Sequence, residues 1–118
     1  MAKYLVLIYG DEKEWANETP AERERIHAGH LRFAGTAGAA VLGGEQLMPP
    51  TTATSLRPGA GDRPTVTDGP FLETKEGLGG YYLLEAADLD AAIALAGQLP
   101  ELGASHSGVE IRPIVEHH

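Results

Sequence analysis

His30 is the residue whose type and position first suggest chemistry. Helical spacing aligns Ile26, His30, Phe33 and Ala37 in one stripe, so an imidazole falls between apolar side chains. An imidazole can carry protons in either direction, and a buried one must find hydrogen-bond partners. Two readings follow, a proton carrier in a sheltered site or a core histidine bonded to a backbone carbonyl. Asp68 stands in Val66-Thr-Asp-Gly-Pro-Phe71. A carboxylate there could orient the imidazole or take a proton from a substrate, although Asp-Gly-Pro is also what a tight turn favours. The loop that follows, Phe71-Leu-Glu-Thr-Lys-Glu76, adds Glu73 and Lys75, and Lys75 suits an anionic group. Arg57 lies beside a hairpin tip. These three are candidate substrate contacts, with solvated surface as the plain alternative.

Other chemistries find less support. His27 and His30 form H-x-x-H with Glu24 nearby, but no clear third ligand accompanies them, so no metal is expected. Gly77-Leu-Gly-Gly80 leads into a strand rather than a helix, so it reads as a bend and not as a phosphate cradle. The chain has no cysteine and no G-x-S-x-G elbow, which leaves covalent catalysis little support. No cofactor is expected.

The elements that must position these residues are legible. Lys3–Tyr9 is apolar without alternation, the pattern of a strand covered on both faces. Residues 11–14 and Trp15 read as a loop. Thr19-Pro20-Ala21-Glu22 combines a capping box with proline at the first helical position, starting a helix that runs to Ala37 and stops at Gly38. Gly29 and Gly35 inside it each cost roughly 1 kcal/mol against alanine, so close packing or function should explain them. Ala39–Leu47 reads as a second strand bent at Gly43-Gly44, and Thr51–Arg57 with Pro64–Thr67 as a hairpin. Tyr81–Leu84 is a further apolar strand. Asp88 caps a second helix with the stripe Leu89, Ala92, Ile93, Ala96 and Leu99, ended by Pro100. The last strand, Val109–Val115, carries Pro113, which belongs at a sheet edge.

Apart from the hairpin, the order is βαββαβ. It predicts an α+β, ferredoxin-like fold with an inserted β-hairpin, the two apolar strands being central. Both helices then cover one sheet face, and the other calls for a second copy of the chain, so a homodimer is expected.

With 118 residues the chain is one domain, taken as 1–115 with a tail of 116–118. Its last residues, Glu116-His117-His118, read equally as native chain or as the start of an expression tag. A formal charge of −8 argues against nucleic acid and anionic membranes as partners. Neither a signal peptide nor a membrane-spanning run is visible, so a cytoplasmic location is expected.

Thr67–Glu76, followed by Leu78-Gly-Gly-Tyr-Tyr82, resembles the signature of the DGPF group of YCII-related proteins. Tyr4–Gly10, Gly44–Leu47 and Val109–Pro113 resemble the same group, so the likeness covers nearly the whole chain. It implies a bacterial protein with a dimeric α+β-barrel fold and an enzymatic role resting on a histidine and an aspartate. His30, in His-Leu-x-Phe33, matches the family's helix histidine. The family's Asp-Pro after the second helix reads Leu99-Pro100 here, so Asp68 is the candidate replacement. Relatives include cofactor-free enzymes that move protons on small cyclic molecules, and some members accompany sigma factors. The expected function is a cofactor-independent lyase or isomerase acting on a small organic molecule. The alternative is a non-catalytic ligand-binding or protein-binding module linked to transcription.

Overall fold

The computed structural model describes residues 1–116, so His117 and His118 of the expected tail lie outside the described residues. The chain begins with β1 (Ala2–Asp11) and a short helix, α1 (Glu12–Ala16). The long helix α2 (Pro20–Ala37) and strand β2 (Val41–Gln46) follow. Strands β3 (Thr54–Arg57) and β4 (Thr65–Asp68) form a separate hairpin. The chain then completes β5 (Glu76–Ala86), α3 (Leu89–Ala96) and β6 (Ser107–Pro113). Four strands make one antiparallel sheet in the order β2-β5-β1-β6, with the hairpin as a second sheet. It is a mixed fold of strands and helices, with β1 and β5 in the centre.

Strand alternation divides the sheet into two unlike faces. Tyr4, Val6 and Ile8 of β1, with Leu84 and Ala86 of β5, are buried beneath Phe33, Ala92, Ala96 and Leu99. Leu5 and Leu7 point the other way, opposite Leu83 and Tyr81, and are only half-buried. Thr19 caps α2 through its hydroxyl, which accepts from the Glu22 amide at 3.1 Å, as the capping box requires.

Three local expectations need correction. Residues 12–16 form α1 rather than loop, because the Asp11 carboxylate caps the turn by accepting from the Lys13 amide. The stretch Gly77–Gly80 belongs to β5 itself rather than leading into it, and its irregularity is a bulge, since the pairing with β1 skips Gly79 between Ile8 and Tyr9. Its glycines make room for neighbours: a Cβ on Gly77 would lie 2.7 Å from Pro50, and one on Gly79 would run into the Trp15 ring. Of the expected stripe, Ala92 and Ala96 in α3 and Leu99 just beyond it are buried, while Leu89 and Ile93 are exposed. Small side chains let this helix sit close on Tyr4 and Ala86, and the bulkier residues are left at its flanks.

The two glycines inside α2 have opposite standing. A Cβ on Gly29 would lie 2.7 Å from Pro100, in the short turn Pro100–Gly103, whereas one on Gly35 meets nothing within 4 Å. Gly35→Ala is therefore expected to stabilise by about 0.5–1 kcal/mol through helix propensity. Gly29→Ala should destabilise by about 1–3 kcal/mol through overpacking. Urea unfolding at one fixed protein concentration checks both signs.

Candidate functional site

The close approach of Gly29 to Pro100 places the next residue of each segment in contact. His30 Nε2 lies 2.7 Å from Glu101 Oε2. The other ring nitrogen, Nδ1, lies 2.7 Å from the Tyr82 hydroxyl. Tyr82 comes from the helix-facing side of β5 and packs on Phe33, with ring centroids 4.8 Å apart. Gly44 of β2 gives it space, since a Cβ there would fall 2.7 Å from the Tyr82 ring. The ring thus bridges a carboxylate and a phenol, held by two helical segments and the central sheet.

The hydrogen-bond roles follow from the partners. A carboxylate only accepts, so with Glu101 ionised Nε2 carries the proton and Nδ1 accepts from the Tyr82 hydroxyl. Glu101 is 9% exposed, and its second oxygen, Oε1, is buried with no hydrogen-bond partner. Burial, and then the negative charge of Glu101, push the Tyr82 phenol above its ordinary pKa, so it keeps its proton at neutral pH.

His30, Tyr82 and Glu101 line a cavity of about 610 Å³ between α2, α1 and the β2–β5 edge of the sheet. Trp15 forms part of its wall, fixed by its indole N–H, which donates to Ser107 Oγ at 2.9 Å. Glu18 and Arg23 also border the space. Burial raises the Glu18 carboxyl above its usual range; among charges, His106 and Arg23 oppose the rise while Glu22 and Glu101 add to it.

The other residues singled out from sequence lie elsewhere. Asp68 is exposed at the end of β4, paired with Thr54 across the hairpin, and does not line the His30 cavity. Gly69 turns the chain at a φ of 105°, a conformation that favours glycine. Its carbonyl accepts from Ser55 Oγ at 2.7 Å. Arg57 stands with its guanidinium 3.8 Å above the Phe71 ring and donates to the Phe71 carbonyl. Within one chain, Asp68 and Arg57 therefore belong to the hairpin and its following turn. Glu73 and Lys75 border a second hollow of about 560 Å³, shared with Lys13 and Thr51. It adjoins the first, since Glu12 and Pro50 line both. Among the described residues, no group of three metal-ligating side chains gathers, around His27 and His30 or anywhere else.

Two residues escaped the sequence reading. Tyr82 was hidden in an apolar strand, where a tyrosine reads as core. Glu101 was hidden behind the proline that ends the second helix. Its only signal was position, an acid one residue past the Pro100 that matches the family's Asp-Pro.

Since its folded pKa is raised, Glu18 contributes to stability below its unfolded value, and that contribution is lost as pH rises through the folded pKa. Glu18→Gln, neutral throughout, is expected to be more stable than wild type at pH 7. The difference should close as the pH falls through the carboxylate range. A gap of the same size at both ends, measured by urea unfolding, would contradict that origin.

Comparison with known proteins identifies the family. The model of the YCII-related domain family matches residues 2–118. An uncharacterised protein of Rhizobium meliloti (strain 1021) is 38% identical over 117 residues, covering 94% of this chain and 90% of its own length. A match of that extent leaves no part of the fold outside the likeness, and the chain belongs to the YCII-related domain family.

Proposed function

We propose that the chain is a cofactor-independent lyase or isomerase that moves a proton on a small organic molecule through Tyr82 and His30. One observation carries this reading: both ring nitrogens of His30 are bonded at 2.7 Å, to Tyr82 and to Glu101, beside a cavity large enough for a small ligand. The substrate's proton passes to the Tyr82 oxygen as the phenol's own proton passes to His30 Nδ1. No free phenolate forms, in keeping with the raised Tyr82 pKa. The imidazolium that results is held against the Glu101 carboxylate. Returning the proton to a neighbouring atom gives an isomer, and loss of a leaving group from the carbanion gives a lyase.

In this reading Glu101 takes the orienting part expected of an aspartate, its longer side chain reaching from one residue further along the chain. Asp68, expected as the catalytic partner of His30, does not line the His30 cavity within one chain, while Arg57, Glu73 and Lys75 remain proposed contacts for substrate, Glu73 and Lys75 at the hollow beside the main cavity. The DGPF signature, Thr67–Glu76, would then shape the approach to the site.

We further read the sheet as ferredoxin-like and the working unit as a homodimer. The apolar face of Leu5, Leu7, Leu83 and Tyr81 is only half-buried among the described residues, which leaves room for a covering layer. The radius of gyration is 16.2 Å, against roughly 13 Å for a compact chain of this length, and the shortest dimension is only 19 Å. One sheet with one helical layer is a half-finished sandwich, and a second copy would complete it. No helix is long and apolar enough to cross a membrane among the described residues. The acidic charge speaks against nucleic acid as a partner.

A non-catalytic ligand-binding or protein-binding module is the second reading. Leu56, Val66, Phe71 and Leu72 are exposed together along and just beyond the hairpin, which favours a protein contact there.

Two measurements test these readings. In D2O, wild-type protein should catalyse exchange of α-hydrogens in a panel of small cyclic ketones and lactones, each with and without an amino substituent, followed by proton NMR. His30→Gln and Tyr82→Phe should each lose about 10²–10⁴-fold of that rate while remaining folded. Ligand binding with no exchange above buffer would move the non-catalytic reading ahead. In sedimentation equilibrium the wild type should be a dimer, and Leu83→Glu should shift it to monomer by placing a charge in the sheet face. A wild-type monomer at micromolar concentration would remove the homodimer.

A further inference from the structure

Resting on the reading of the His30 cavity as a ligand site, we infer that its ligand is a small organic cation, a protonated amine on an apolar body. The charged side chains around the cavity are unbalanced. Glu12, Glu18, Glu45 and Glu101 line it, against the single guanidinium of Arg23, the imidazoles of His27 and His30 and no lysine. Arg23 is partly engaged already, donating to the Ala16 carbonyl at 3.4 Å. An anion entering here would meet carboxylates in a partly desolvated space, where like charges repel far more than in water.

A second observation points the same way. Glu101 is nine-tenths buried in the cavity wall, one oxygen is bonded to His30, and the other has no donor at all. A buried carboxylate with half its acceptor capacity unused is under-compensated, and a positive group in the cavity offsets its charge through space, since Oε1 itself is closed to solvent. The Trp15 and Tyr82 rings add surfaces on which an ammonium group rests favourably, while Ile26, Leu47 and Met48 suit the apolar body. The anionic substrate first suggested by Lys75 finds no lysine at His30, and the Arg23 guanidinium there is outnumbered by carboxylates. That lysine belongs to the adjoining hollow.

The chain's single tryptophan, Trp15, lies in the cavity wall and so reports occupancy by its fluorescence. Three probes share one ring and differ in charge: cyclohexylamine, cyclohexanol and cyclohexanecarboxylate, titrated at pH 7.5 and low salt. The amine is expected to saturate the signal at a concentration at least about tenfold below the carboxylate. Glu18→Gln should weaken the amine about two- to fivefold, and Arg23→Gln should strengthen it by a similar factor. A merely structural disturbance would weaken every probe in both variants. If the carboxylate or the alcohol saturates and the amine does not, the charge assignment is overturned and the ligand cavity stands. If none of the three saturates, the assignment fails, and the D2O exchange decides separately whether His30 does chemistry.

Discussion

A carboxylate taken out of water must be paired, and Glu101 is 9% exposed. Its pairing with His30 depends on how closely α2 can approach the turn that begins at Pro100. That approach is possible only because residue 29 is glycine; a side chain there would lie 2.7 Å from the proline ring. One missing Cβ thus brings an imidazole and a carboxylate from distant parts of the chain within 2.7 Å. The same contact turns His30 toward Tyr82 on the central strand, so sheet, helix and turn meet at one ring.

Glycines recur wherever the site is tight. Gly44 leaves room for Tyr82, and Gly10 and Gly79 leave room for Trp15. Each lies on a strand, where glycine weakens the sheet because it has no side chain to pack. The compensation is a cavity walled by large aromatic rings lying flat on backbone, a geometry that larger residues at these positions would fill. The sheet tolerates this because β1 and β5 pair along nearly their full lengths, with one register shift between Ile8 and Tyr9.

The hairpin and the turn after it form a separate small structure. Arg57 stacks on Phe71, Ser55 holds the Gly69 carbonyl, and Gly69 supplies the positive φ that the turn demands. The Asp-Gly-Pro motif therefore has a local physical reason to exist independent of any catalysis. Position in the fold, rather than strength of motif, separates Asp68 from Glu101.

Much of this protein was legible from local signals. The capping box at Thr19, the apolar runs of β1 and β5, the proline in the last strand and the helical stripe that contains His30 are all short-range facts. They depend on periodicity and backbone preference, which a linear sequence carries in full. The inner position of His30 followed from that spacing alone. Local signals failed where a residue's role depended on what stood opposite. Gly77–Gly80 was legible as an irregular stretch, and a bulge does fall at Gly79, but not as strand whose glycines make room for Pro50 and Trp15, residues remote in sequence. Leu89 and Ile93 looked like core because α3's small residues could not be known to sit so close on the sheet. Tyr82 and Glu101 were passed over for the same reason, since a tyrosine in a strand and an acid after a proline acquire meaning only from a partner. His30 was legible as an inward-facing imidazole because burial is periodic along a helix. Its partners were decided by the tertiary structure, because hydrogen bonds across the fold are set by the packing of backbone on backbone.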